Sequence, residues 1–193
     1  MPSDGLPTLA FADPTQFERW LADNPQARGL WLKFARKGGG DTLSKSQAID
    51  CALCHGWIDG QLKSFDARYF LTRFTPRRAG SRWSAKNAAR AEDLLAQGLA
   101  HPRGRAEIEA AQADGRWAAA YPSARHIGVP ADFAASLGRN PAARQFFETL
   151  DSANRYALLY RLHHASAATR TRRIDEFVAM LERGETFHPR RKR

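Results

Sequence analysis

Strand-like alternation, with an apolar residue at every second position, is confined to the first 76 residues of this 193-residue chain; beyond Pro76 every apolar stripe recurs at helical spacing. Gly29-Leu30-Trp31-Leu32-Lys33-Phe34-Ala35-Arg36 puts Leu30, Leu32 and Phe34 on one face and Trp31 and Lys33 on the other. From Trp57 the same period assigns Trp57, Asp59, Gln61 and Lys63 to one face and Ile58, Gly60 and Leu62 to the opposite one. A further strand is expected over 68–74, stopped by Pro76 and Gly80 and joined antiparallel to its predecessor near Ser64-Phe65-Asp66. Residues 6–13, with Leu9 and Phe11, read as a short first strand.

Helices are expected between these strands and after them. Asp13-Pro14 opens one that carries Phe17, Trp20 and Leu21, and Asn24-Pro25 ends it. Residues 44–55 bury Ala48, Ile49, Ala52 and Leu53, with Gly56 placed to terminate them. Further helices are expected over 84–97, 104–114, 131–137, 142–150, from Asp151 or Ser152 through Tyr156, Leu159, Tyr160 and Leu162, and over 168–183 with Ile174, Phe177, Val178 and Leu181 in register. The order implies an α+β fold: a small antiparallel sheet with packed helices, then an all-helical C-terminal extension. The expected division is residues 1–90 and 91–193, the latter ending in the basic run His188-Pro189-Arg190-Arg191-Lys192-Arg193.

Charge narrows the choice of partner. A net charge of +10 favours anionic ligands such as nucleic acid or phosphorylated metabolites, and the arginines supply planar forks suited to phosphate. No apolar run approaches the roughly 20 residues that span a bilayer, and Met1-Pro2-Ser3-Asp4-Gly5 lacks the basic-then-apolar order of a secretory signal. A soluble cytoplasmic protein without membrane insertion is the expectation.

Several motifs invite chemistry and lose it on spacing. Lys37-Gly38-Gly39-Gly40-Asp41 lacks the GxxxxGK[ST] spacing of a phosphate-binding loop. Cys51-Ala52-Leu53-Cys54-His55 matches the haem-attachment pattern, yet its helix is already committed to packing by Ala48, Ile49, Ala52 and Leu53. The cysteines fall in the last turns, where the negative end of the helix dipole opposes thiolate formation, so two reduced structural thiols are expected. Two cysteines and His55 are too few for zinc, and the adjacent His163 and His164 diverge on a helix, so neither metal nor cofactor is expected. His55 with Asp59 is a conceivable acid–base pair, although Gly56 breaks the helix between them and no catalytic residue is assigned.

The basic stretch is different. Lys63, Arg68, Arg73, Arg77, Arg78, Arg82, Lys86 and Arg90 face Asp66 as their one acidic neighbour within residues 61–90, and Tyr69, Phe70, Phe74 and Trp83 are interleaved with them. Guanidinium groups beside aromatic faces can hold phosphates while the rings stack on bases. The expected ligand-binding groove comprises Trp57, Asp59, Arg73, Arg77, Arg78, Trp83, Lys86 and Asn87, with Trp57 or Trp83 stacking and Asp59 orienting an arginine or a ligand hydroxyl.

The same residues carry a family resemblance. Leu53-Cys54-His55-Gly56-Trp57-Ile58-Asp59-Gly60-Gln61, Arg73-Phe74-Thr75-Pro76-Arg77-Arg78 and Ser81-Arg82-Trp83-Ser84-Ala85-Lys86-Asn87 resemble signature segments of the bacterial YdeI/OmpD-associated family. Ala113-Asp114-Gly115-Arg116-Trp117, Ser152-Ala153-Asn154-Arg155-Tyr156 and Thr171-Arg172-Arg173-Ile174 resemble its later part, so that the likeness runs from Phe11 to Gly184. It implies a YjbR/CyaY-like α+β fold for the N-terminal part and a role in bacteriocin or antimicrobial-peptide resistance, and it brings no catalytic residues. The first functional reading is thus a non-enzymatic stress-response protein that binds an anion, DNA or RNA foremost. The alternatives are a small enzyme acting on a phosphorylated or nucleotide-like metabolite, and an adaptor recruiting a protein partner through its C-terminal helices.

Overall fold

In the computed structural model of the chain, which describes residues 4–38 and 40–189, the alternating stretches form β1 (Thr8–Leu9), β2 (Leu30–Ala35), β3 (Trp57–Ser64) and β4 (Tyr69–Pro76). They make one sheet of order β1-β2-β4-β3, antiparallel except for the two-residue β1, which runs parallel to β2. The helices are α1 (Pro14–Asp23), α2 (Lys45–Cys54), α3 (Ala85–Ala96), α4 (Pro102–Ala113), α5 (Ala131–Gly138), α6 (Pro141–Glu148), α7 (Ser152–His163) and α8 (Ala167–Glu182). None is long and apolar enough to cross a membrane among the described residues. The chain divides into two compact units, residues 1–120 and 121–193. The expected division at residue 90 falls inside the continuous α3, and residues 190–193 of the basic tail lie outside the described residues.

Local chemistry explains the boundaries. Asp13 accepts the Gln16 amide at 2.9 Å to start α1, and Pro14 costs nothing in a first turn whose amide has no helical partner. Ser44 and Gln47 form a reciprocal capping box on α2. Ser84 accepts from Asn87 at the start of α3, and Asp151 from Asn154 at the start of α7.

In the first unit, α1 and α2 cover one face of the sheet. Phe17 and Leu21 of α1, with Ala48, Cys51 and Ala52 of α2, pack against Leu30, Leu32, Phe34, Trp57 and Phe74. Burying each large side chain there contributes roughly 1.5–3 kcal/mol. A second cluster joins α2, α3 and α4 through Leu53, Cys54, Trp83, Ala88, Ala91, Leu94, Ile108 and Ala111. The second unit builds its own core from α5 to α8 around Phe133, Phe147, Leu158, Leu162, Phe177 and Leu181.

One register differs from the simple alternation. The pairing of β3 with β4 shifts between Asp59 and Leu62, a bulge at Gly60-Gln61 that adds a residue to β3. Leu62 therefore lies opposite Thr72 and shares the helix-covered face with Trp57 and Asp59, while Lys63, opposite Leu71, moves to the other face beside Trp31, Lys33 and Arg73.

Candidate functional site

The first turns of α2 and α3 meet at a cleft of about 330 Å³ lined by Lys45, Ser46, Ile49, Asp50, Lys86, Asn87 and Arg90. Ile49 forms its apolar part and packs against both core clusters of the unit. Each N-cap serine takes one first-turn amide, Ser44 from Gln47 and Ser84 from Asn87, and so fixes the helix start that carries the lining residues. Arg90 is bound in bidentate fashion by Asp50, with Nε–Oδ1 and Nη2–Oδ2 both 2.8 Å. Lys45 Nζ lies 3.3 Å from Asp59 Oδ2. Lys86 is exposed. Asp50, Asp59 and Asp93, the last 4.0 Å from Arg90 Nη1, balance the three cations formally, so what the cleft offers is the exposed Lys86 ammonium, which suits one anionic group better than a polyanion track.

The eight residues expected to share a groove are divided among three places. Lys86 and Asn87 line the cleft, and Asp59 adjoins it through Lys45. Trp57 is 1 % exposed in the cluster beneath the sheet, where Trp20 meets it edge-on at 5.9 Å. Trp83 is also 1 % exposed, packed against Trp117 at 4.7 Å in the second cluster. Neither indole has a face left for a ligand, and the stacking role does not hold for either. Arg77 is buried with its guanidinium 3.5 Å from the Trp83 ring centre and Nη1 donating to the Arg82 carbonyl, so it ties the end of β4 to the segment before α3. Arg78 is exposed in the turn closed by its own amide on Ser81 Oγ. Arg73 lies on the opposite face of the sheet from Asp59, where it pairs with Asp4.

Lys45, Ser46, Asp50 and Arg90 complete the cleft and are not legible as a group in the sequence. They belong to two helices separated by some forty positions, and their meeting depends on how α2 packs on α3. Arg116 and Trp117 are structural partners of the same region: Arg116 Nη1 donates to the Ser81 carbonyl at 3.0 Å and Trp117 Nε1 to Glu92 at 3.0 Å.

The two cysteines are buried and unlinked, and burial pushes Cys51 up to about 12 and Cys54 to about 11, far from thiolate at neutral pH. No group of three or more histidine, cysteine or acidic side chains is placed to hold a metal among the described residues. His55 does not share a site with Asp59. Its ring stacks on His101 at 4.7 Å, at the junction where the His101 amide donates to the Cys54 carbonyl. Burial first, then the neighbouring His101 and Arg103, push His55 down to about 4.

That shift fixes a pH dependence. The folded chain resists protonating His55, so the stabilising neutral state is fully present above the unfolded-chain value near 6.5 and is lost as pH falls toward 4. Unfolding free energy is expected to drop by up to about 3 kcal/mol between pH 7 and pH 4 from this group. Urea titrations at pH 7 and pH 4.5 should show a smaller loss in His55→Gln than in wild type; equal losses contradict the assignment.

Comparison with known families follows the division of the chain. Residues 9–107 match the family model described as Domain of unknown function (DUF8412). Residues 126–184 match the one described as Bacteriocin-protection, YdeI or OmpD-Associated. The YdeI/OmpD likeness thus rests on a stretch within α5 to α8 and its flanks, and the segments between Leu53 and Asn87 fall in the first match. No curated protein and no solved structure matches the chain.

Proposed function

We propose that this chain, which belongs to the DUF8412 family, is a non-enzymatic binding protein that takes a small anionic ligand, a phosphorylated metabolite before a nucleic acid, in the cleft between α2 and α3. The observation that carries this reading is the convergence of Lys45, Lys86, Arg90 and Asn87, from the N-terminal halves of two helices, on one depression of about 330 Å³. Asp50 and Asp59 hold Arg90 and Lys45 in place. Lys86 supplies the mobile charge, and the Asn87 amide a directional donor. A role in bacteriocin protection, the setting named in the description of the family matched by residues 126–184, is the cellular context we assign to it. The YjbR/CyaY-like reading of the N-terminal part belongs to the same proposal, supported by a sheet covered on one face by two helices.

Calorimetric titration with inorganic phosphate and with a nucleoside monophosphate tests it. Lys86→Ala is expected to weaken either by about tenfold, the loss of one charge-assisted hydrogen bond, and Lys86→Glu to abolish binding. Affinity unchanged in Lys86→Glu removes the cleft from consideration. Tighter binding to duplex DNA than to the monophosphate, with a steep salt dependence, returns the ligand to nucleic acid. A second reading, an enzyme using Asp59 as proton carrier, rests on the Lys45–Asp59 pair beside the cleft. Turnover in a metabolite screen that disappears in Asp59→Asn separates it from binding alone.

A further inference from the structure

The face of the sheet away from α1 and α2 has a different chemistry. Alternation and the β3 bulge place Thr8, Trp31, Lys33, Ile58, Lys63, Tyr69, Leu71, Arg73 and Thr75 on it, and no strand residue among these is acidic. The cations are ordered by the register. Arg73 is level with Trp31 on the neighbouring strand, while Lys33 and Lys63 flank Leu71 two residues further along. That step is roughly 6.7 Å, the repeat of alternate side chains in an extended chain.

A carboxylate already occupies the first of these levels. Asp4, from the segment before β1, receives the Trp31 indole N–H at 2.9 Å and 3.2 Å on its two oxygens. Lys63 Nζ sits 4.7 Å from the centre of the same indole, and the Arg73 guanidinium faces the carboxylate. The Trp31 hydrogen bond chiefly, with help from Leu6 and Arg73, holds Asp4 below the usual carboxylate range. The fit is incomplete on one side. Arg73 Nε is buried and has no hydrogen-bond acceptor among the described residues, and Asp4 Oδ2 stands off at 3.4 Å. Asp4 and Arg73 keep about a third of their side-chain surface exposed while Trp31 and Arg73 Nε are buried, so another carboxylate reaches these donors by displacing Asp4.

We propose that this sheet face is a binding surface for an extended acidic peptide, with Trp31 Nε1, Arg73 and Lys63 as the carboxylate receptor and Lys33 as the next subsite, and that Asp4 is a tethered stand-in which the peptide displaces. An extended chain with acidic residues at alternate positions places one carboxylate on Trp31 and Arg73, beside the Lys63 ammonium, and another further along the face at Lys33, whose Nζ lies 4.5 Å from the Tyr69 ring centre. Nucleic acid fits less well, because the receptor is a single indole N–H beside one guanidinium and the Trp31 ring is buried and closed to base stacking. Tethering makes Asp4 a competitor at roughly millimolar effective concentration, so its removal raises affinity for an outside carboxylate.

The test uses the full chain and a fluorescein-labelled hexaglutamate peptide. In a proton–nitrogen spectrum, Asp4→Asn is expected to move the Trp31 indole resonance, and in fluorescence anisotropy the same variant is expected to bind hexaglutamate at least fivefold more tightly than wild type. Arg73→Gln in the Asp4→Asn background should erase the gain, and Lys63→Gln should halve it or more. An unmoved Trp31 resonance, an affinity that Asp4→Asn leaves unchanged, or a gain that survives Arg73→Gln each overturns the proposal. Binding of a duplex DNA oligonucleotide by Asp4→Asn without binding of hexaglutamate overturns it in favour of a phosphate-backbone ligand. Because Lys86 and Asn87 are outside this surface, these results are independent of the phosphate titrations.

Discussion

Gly104→Ala is expected to lower the unfolding free energy by about 3 kcal/mol, the upper part of the range for overpacking, although the substitution normally strengthens a helix by about 1 kcal/mol. Gly104 lies in the first turn of α4, in the second core cluster's helix pair. A Cβ at this position would stand 2.1 Å from the Cys54 carbonyl oxygen and 2.8 Å from that of Leu53. Both obstacles are backbone at the C-terminal end of α2, so no side chain can swing aside. Relief requires α4 to back away, which stretches the His101 amide to Cys54 carbonyl bond, separates the His55 and His101 rings and loosens Ile108 and Ala111. Gly138, at the end of α5, is the control, because a Cβ there would meet nothing within 4 Å. Urea midpoints should fall for Gly104→Ala and stay level or rise for Gly138→Ala. An unchanged midpoint for Gly104→Ala shows that the two helices are not in contact at this glycine.

Much of this architecture is legible in the sequence because it is set by near neighbours. Asp13-Pro14, the Ser44–Gln47 box and Asp151 start their helices with contacts three residues away, which is why those starts can be placed to within a residue or two. The hairpin of β3 and β4 is equally local. The pairing of β2 with β4 is not, since it joins stretches some forty residues apart through backbone groups that carry no label in the sequence. The bulge at Gly60-Gln61 is invisible for a related reason: strict alternation predicts Lys63 beside Trp57, and one extra residue moves it to Trp31.

The site is harder to read, for a physical reason that the basic stretch illustrates. An arginine near a tryptophan looks the same whether the pair waits for a ligand or closes on itself. Arg77 and Trp83 close on each other and are buried, while Arg73 serves a carboxylate on the far side of the sheet. What remains of the expected groove, Lys86 and Asn87 with Asp59 alongside, becomes a cleft, the one proposed above as the site, only when Lys45, Asp50 and Arg90 are brought to it by helix packing. Charge density along the chain locates the neighbourhood; the burial of each side chain decides membership.

Asn154→Ala is expected to cost the second unit about 2–3 kcal/mol, because one side chain there makes three hydrogen bonds worth about 1 kcal/mol each. Asn154 is 1 % exposed on α7. Its Nδ2 donates to Asp151 Oδ1 at 3.2 Å and to the His188 carbonyl at 3.1 Å, and its Oδ1 accepts the His188 amide at 2.9 Å. The last two bonds grip both polar groups of one residue in the segment after α8, and they hold Phe187 against Phe177 at 5.5 Å and beneath the Arg161 guanidinium at 4.0 Å. Alanine releases this segment and leaves the Asp151 cap short of one donor. Asn154→Asp is expected to be worse, since a carboxylate cannot donate to the His188 carbonyl and repels Asp151. Amide exchange at His188 should accelerate at least tenfold in Asn154→Ala, the consequence of losing about 1.4 kcal/mol of local protection, and the thermal midpoint should fall with it. Exchange at His188 unchanged from wild type means that Phe187 and the Thr186 hydroxyl, which donates to the His188 carbonyl at 2.9 Å, hold the segment without Asn154.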